Sequence, residues 1–192
     1  STLISTKRLA KKRANNRLSF YQEISGNSCK NILEIGCGPG VLFNPYKKLN
    51  VNWVGLDINP YWIKFGEKNK IPISNSEIKD LKIKFDVVTG FQVLEHVIDP
   101  LNFMKQLIDC LKPGGVIHLE LPNHSSFTSY LRRISPVLSK DYGFIQPPLH
   151  MRAYQKQTMS YIFSYFGLEE KVVANYENNH PIWGQIRDWS FM

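Results

Sequence analysis

No stretch of the chain approaches the run of about 18 apolar residues that a bilayer span requires, so no transmembrane segment is expected. The first twenty residues are basic but lack an apolar core followed by a small-residue cleavage site, which argues against a secretory signal. Cysteine is scarce: Cys29, Cys37 and Cys110 are odd in number and far apart, too few and too scattered for a disulfide framework or a Cys-based zinc site. A reducing, cytoplasmic compartment is the expectation. Internal repeats, low-complexity tracts and linkers are also missing, which leaves one domain over 1–192. With 43% apolar and 21% charged residues in 192, the chain can fold as a globule and bury roughly two-thirds of its unfolded surface.

Acid is missing from one place in particular. Lys7, Arg8, Lys11, Lys12, Arg13 and Arg17 precede the first acidic residue, Glu23. They supply most of the net charge of +8 and leave 18 basic against 16 acidic residues in the remainder. The body of the chain is nearly neutral, which argues against a nucleic-acid-binding domain.

Strand-like and helix-like segments alternate along the chain. Short apolar runs at 31–35, 51–56, 71–74, 85–89 and 116–121 end in turn residues, as buried strands do. Helical patterns occupy 41–48, 60–68, 100–111 and 155–166. Pro60 and Pro100 suit first helical turns, and Lys112-Pro113-Gly114-Gly115 stops the third of these helices. Two further strands are expected near 168–176 and 184–190. The order predicts an α/β fold, a doubly wound, mostly parallel sheet of seven strands. Residues 6–24 are helix-compatible, with Leu9, Arg13, Arg17, Phe20 and Ile24 near one face. Residues 123–150 form an irregular insertion rich in aromatic and aliphatic side chains, read either as a lid or as a packed cover.

The segment Glu34-Ile35-Gly36-Cys37-Gly38-Pro39-Gly40 places a glycine loop between the first strand and the first helix. Backbone N–H groups there can approach a ligand without side-chain obstruction. Asp57 follows 21 residues after Gly36, at the predicted end of the second strand, where a carboxylate can accept both hydroxyls of a ribose. The dinucleotide pattern G-x-G-x-x-G fails, because its last position is Val41. A phosphate-loop lysine is absent too.

This loop, then Asp57, Phe85-Asp86-Val87-Val88, Val93-Leu94-Glu95-His96-Val97 and Leu111-Lys112-Pro113-Gly114-Gly115 in order, resemble the class I S-adenosylmethionine-dependent methyltransferases, with their Rossmann-like fold. The likeness covers about residues 30–170 and is nearest to O-methyltransferases of the small-molecule, ubiquinone-pathway type. It implies that Glu34 helps place the methionine end of S-adenosylmethionine, and that Gly36, Cys37, Gly38 and Gly40 line its path. Asp57 holds the ribose and Ile58 packs on the adenine. Glu77 takes the adenine amino group beside Ile78, with Asp80 as rival, and Gln92 faces the methionine portion. The N-terminal helix (1–24) covers the cofactor, with Arg17 and Tyr21 as candidates for its carboxylate. Lys7, Arg8, Lys11 and Lys12 are either a solvated face or a contact for anionic lipid or RNA.

Methyl transfer needs alignment of a nucleophile with the methyl carbon and, for some acceptors, removal of a proton. His96 and His150 are the candidate bases, each with a structural alternative; His118, inside a strand, reads as structural. Some relatives hold a divalent metal with Glu-x-x-Glu-His, but here Gln92 replaces the first acid, which argues against a metal. The expected activity is O-methylation of a small, possibly hydrophobic molecule, yielding S-adenosylhomocysteine. RNA methylation and a non-catalytic cofactor-binding partner protein are the alternatives.

Overall fold

Strands form where short Ile-, Leu- and Val-rich runs are cut by glycine, asparagine or aspartate. In a computed structural model, which describes residues 2–26, 28–122, 151–170, 173–177 and 186–191, these runs become β1 (Asn31–Ile35), β2 (Asn52–Leu56), β3 (Ile73–Ser74), β4 (Phe85–Phe91) and β5 (Leu111–Pro122). The chain divides into two compact units, Ser1–Gly90 with Gln106–Ile117 and Phe91–Lys105 with His118–Met192.

The first unit carries a parallel sheet in the order β3-β2-β1-β4-β5. β1 is central. Leu33 pairs with Val54 on one side and Val88 on the other, and all but the first residue of β1 is buried. A strand covered on both faces is expected to read as a continuous apolar run rather than an alternating one. Ile32, Leu33, Phe85, Val87 and Val88 form the centre of this core, each fully or almost fully buried. Burying a side chain of this size stabilises the fold by about 1.5–3 kcal/mol.

The helices of this unit are α1 (Thr2–Ser25), α2 (Phe43–Lys48) and α3 (Pro60–Asn69), and α1 packs on α2. α3 starts where Asn59 Oδ1 accepts the Tyr61 N–H at 3.0 Å, with Pro60 in the first turn, and ends at Lys70 in the left-handed region. α4 (Pro100–Asp109) buries Met104 and Leu107 but leaves Leu101 exposed.

Asp86 ties the amino ends of three strands together. Its Oδ2 accepts the N–H groups of Lys30 (3.0 Å) and Asn31 (2.8 Å), and its Oδ1 accepts Lys112 Nζ at 2.8 Å. Burial raises the Asp86 pKa, but the bonds from Lys112, Asn31 and Lys30 outweigh it and hold the carboxyl below the ordinary carboxylate range.

In the second unit the carboxyl half of β5 pairs antiparallel with β7 (Ile186–Phe191), from Leu119 opposite Phe191 to Pro122 opposite Asp188. β7 pairs antiparallel with β6 (Val173–Glu177). α5 (Lys156–Tyr165) buries Met159, Ile162 and Phe163, the apolar stripe expected from its spacing.

Two expectations need correction. α4 ends at Asp109, short of the expected 111, and β5 begins at Leu111, five residues before the expected Val116, so Lys112-Pro113-Gly114-Gly115 lies inside the strand instead of stopping the helix. Gly114, with φ of 72°, lies within the strand. The inward face of α1 is also rotated from the one read in the sequence. Ala14 and Tyr21 are buried with Arg17 and Leu18 half-buried beside them, whereas Leu9 and Arg13 are exposed. Small Ala14 lets the helix approach closely, a criterion that a search for large apolar side chains overlooks.

Candidate functional site

The glycine loop leaves β1 through a backbone that side chains other than glycine resist. Gly36, Gly38 and Gly40 have φ of 65°, 53° and 63°, in the left-handed region. The N–H groups of Gly36 and Cys37 both donate to the Leu56 carbonyl, at 2.8 and 3.1 Å, which moors the loop to the end of β2. Immediately beyond, Asp57 Oδ2 accepts the Gly38 N–H at 2.8 Å and Oδ1 accepts the Asn59 N–H at 2.8 Å. One carboxylate therefore fixes both the loop and the entry to α3.

The glycines differ in what surrounds them. A Cβ on Gly40 would lie 2.8 Å from Ile71 Cγ2 and 3.1 Å from Trp53 Cη2, so Gly40 is required by packing inside the protein. A Cβ on Gly38 would meet open space, its nearest neighbour being Trp62 Nε1 at 4.0 Å. Gly38 is the position where the backbone lies bare.

Beneath the loop, Glu34 is buried and its Oε2 accepts Trp53 Nε1–H at 2.8 Å. The indole passes over Gly55, where a Cβ would come within 2.4 Å of Trp53 Cη2 and 2.6 Å of Cys37 Sγ. Glu34 therefore braces the platform on which the loop rests. Tyr46, on α2, lies in the same interior. Burial pushes its phenol above the ordinary value, Arg17 pulls it back and Glu34 pushes it up again, which places an inward-turned Arg17 in the field of this cluster. Arg8, Lys11, Lys12 and Arg13 are exposed on α1. Burial also pushes the Cys37 thiol up to about 12, aided by Glu34 and Asp57, so it remains protonated and inert at neutral pH.

Other expected residues divide clearly. Ile58 is 94% exposed beside Asp57, a bare apolar surface of the kind that an aromatic base covers. Glu77 is exposed and paired with Lys79 at 2.6 Å. Two further candidates have buried side chains. Tyr21 has no exposed surface and Ile78 is buried in a short 3-10 helix (Ile78–Asp80).

In the second unit, Gln92 follows β4 with φ of 56°, a left-handed conformation uncommon outside glycine, and its N–H donates to the Glu120 carbonyl at 2.8 Å. His96 ends a 3-10 helix (Leu94–His96) and is exposed, whereas the neighbouring Leu94 and Glu95 are buried. The segment 151–154 is stitched to this loop. Met151 and Arg152 N–H groups donate to the Glu95 carbonyl, Arg152 Nη2 donates to the Ile98 carbonyl at 2.8 Å, and the Tyr154 hydroxyl donates to the Leu94 carbonyl at 3.4 Å. His118 is buried in β5, its Nε2 3.6 Å from Glu120 Oε1 and its ring edge-on to Phe91, as a structural histidine should be. His150, His124 and His180 lie outside the described residues, as does the insertion 123–150.

The glycines and Asp57 meet at the loop as their spacing predicts, whereas Trp53, Gly55 and Trp62, which pack around that loop, were not singled out in the sequence. The available signal was the spacing Trp53-x-Gly55, which puts a large ring and a vacancy on one face of a strand.

Bare backbone at Gly38, a carboxylate with unused lone pairs and an exposed apolar side chain next to it fit a nucleoside. The wider comparisons agree on the class. The methyltransferase domain family model matches residues 6–173, and the chain belongs to that family. It is 33% identical over 114 residues to the mitochondrial ubiquinone biosynthesis O-methyltransferase of Schizosaccharomyces pombe, covering 52% of this chain and 42% of the relative. The chain thus spans less than half the length of that curated relative. Among solved structures, an S-adenosylmethionine-dependent methyltransferase from Archaeoglobus fulgidus superimposes with a TM-score of 0.63 at 21% identity, covering 96% of this chain and 92% of the other. The plantazolicin methyltransferase BpumL, solved with S-adenosylhomocysteine, superimposes with a TM-score of 0.70 at 17% identity, covering 97% and 84%. These two likenesses establish the Rossmann-like methyltransferase fold.

Proposed function

We propose that the protein is an S-adenosylmethionine-dependent methyltransferase that methylates an oxygen of a small molecule. The observation that carries the reading is the bond between Asp57 and the Gly38 N–H, which builds a nucleoside cradle in advance of any ligand. When bound, S-adenosylmethionine supplies an activated methyl group on a sulfonium. The chain's own residues then bind and orient. Asp57 accepts the ribose hydroxyls, Ile58 supports the adenine, Glu77 receives its amino group, and the bare backbone at Gly38 allows close approach. Arg17, turned inward from α1, offers a cation to a carboxylate. Gln92 faces the methionine portion, and its strained backbone supports a functional role, because such outliers cluster at working sites.

His96 is the proposed base for the acceptor hydroxyl, with His150 as a second substrate-side group. We extend the fold reading to one seven-stranded sheet, supported by the strand order β3-β2-β1-β4-β5-β7-β6. In the same reading residues 1–24 form a cover for the cofactor and 123–150 a lid over a hydrophobic acceptor. Three buried thiols suit a reducing, cytoplasmic setting. Among the described residues no helix is long and apolar enough to cross a membrane.

Transfer of labelled methyl from S-adenosylmethionine, screened over phenols, carboxylates, lipids and RNA, tests the proposal. Labelled methyl ethers or esters of small acceptors are expected, with a rate that falls in His96→Ala. Labelling of RNA alone contradicts the small-molecule reading, and binding of the cofactor without transfer to any acceptor contradicts the enzymatic one.

A further inference from the structure

Asp57 can satisfy only half of the hydrogen bonding of a ribose. An ionised carboxylate offers about four lone-pair sites and no donor. Two sites are occupied by the N–H groups of Gly38 and Asn59, at 2.8 Å each. The remainder can accept two hydroxyl protons. Each hydroxyl that gives its proton away retains lone pairs of its own, and these call for a donor close to Asp57.

Trp62 stands in that position. Its Nε1 is the nearest atom to the open side of Gly38, 4.0 Å from the point a Cβ there would reach, and Gly38 is the residue whose N–H is bound to Asp57. An indole N–H only donates. The ring is half-buried and packs edge-on against Tyr61 (centroids 4.7 Å apart, 74°) and Phe65 (6.0 Å, 88°), contacts that limit its rotation. Backbone bonds tie it to the same turn as the acid: the Asn59 N–H donates to Asp57 Oδ1, and the Asn59 carbonyl accepts the Trp62 backbone N–H at 3.0 Å. Donor and acceptor are held in register by the first turn of α3.

We infer that Trp62 is a specificity residue whose indole N–H donates to a ribose hydroxyl that itself donates to Asp57, so that the pair reads the diol of the nucleoside. The inference rests on the cofactor reading above and adds the residue that selects ribose over deoxyribose.

Calorimetry with S-adenosylhomocysteine and its 2′-deoxy and 3′-deoxy analogues tests it on the wild-type chain and on Trp62→Phe, which keeps an aromatic ring and removes the donor. Trp62→Phe is expected to weaken S-adenosylhomocysteine by about fivefold to tenfold, the effect of one hydrogen bond, while changing affinity for one of the deoxy analogues by less than about twofold. In the wild-type chain the Trp62 indole proton resonance is expected to move on adding S-adenosylhomocysteine and to stay in place with the 2′,3′-dideoxy analogue, a measurement that needs no variant. Equal losses for all three ligands, unchanged affinity in Trp62→Phe, or an unmoved resonance overturns the inference alone. No binding of S-adenosylhomocysteine to the wild-type chain overturns the cofactor reading beneath it.

Discussion

Replacing Asp57 by Asn probes the cradle and the fold with one change. The carboxylate accepts two backbone N–H groups, from Gly38 and Asn59, each at 2.8 Å. An amide keeps one acceptor oxygen and turns an NH2 toward the other N–H, so one of the two bonds is lost. A hydrogen bond to a charged group contributes about 1.5–3 kcal/mol, and the half-exposed setting places the loss near the lower end, about 1–2 kcal/mol. For a chain of this length 1 kcal/mol moves Tm by about 2–4 °C, so Asp57→Asn should melt roughly 2–8 °C below wild type. Loss of one ribose bond of similar strength should weaken S-adenosylhomocysteine by about fivefold to thirtyfold. Differential scanning calorimetry measures the first quantity and titration calorimetry the second. A variant that melts like wild type shows that the loop does not depend on Asp57. One that binds S-adenosylhomocysteine like wild type refutes the ribose assignment even if its stability falls.

Other consequences are simpler to state. Gly40→Ala must adopt φ of 63° and place its Cβ 2.8 Å from Ile71 Cγ2, which together should cost about 2–4 kcal/mol in urea unfolding. Gly38→Ala, facing open space, should cost about 1–2 kcal/mol of stability but should bind S-adenosylhomocysteine poorly because its Cβ enters the cradle. The Asp86 pKa is lower folded than unfolded, so its contribution is present above the unfolded value of about 3.9 and is lost as pH falls through the folded one. Asp86→Asn should therefore flatten the acid limb of a stability–pH curve below about pH 4, and an unchanged limb contradicts the assignment. Cys37, its thiol held near 12 by burial, should resist iodoacetamide at pH 8 in the folded protein and react once unfolded, as read by mass spectrometry.

The binding loop was legible in the sequence because its chemistry is local. Glycines that need positive φ sit next to one another, and Asp57 follows at the end of the next strand, so spacing alone places them at one edge of the sheet. Strand β1 was legible to the residue, since Ile32, Leu33 and Ile35 form the short apolar run of a parallel strand buried on both faces, broken only by Glu34. The inward face of α1 was not. That face is set by Ala14, Arg17 and Tyr21 meeting the rest of the first unit, and nothing in a helical wheel distinguishes a small residue at a close contact from one in solvent. Tyr21 and Ile78, expected at the cofactor from the family resemblance, have side chains buried in the first unit, which their spacing along the chain did not record.

What the sequence by itself determined is the α/β order, the glycine loop and the acid that follows it, all encoded by short-range pattern. Only the tertiary structure decided which glycine is bare and which is packed. It also showed that Glu34 holds Trp53 across a missing side chain at Gly55, and that Trp62 stands over Gly38. Those facts depend on side chains distant in sequence reaching one another across neighbouring strands and an adjoining helix. Their distances are fixed by how the strands pair and how α3 starts, which no spacing along the chain records.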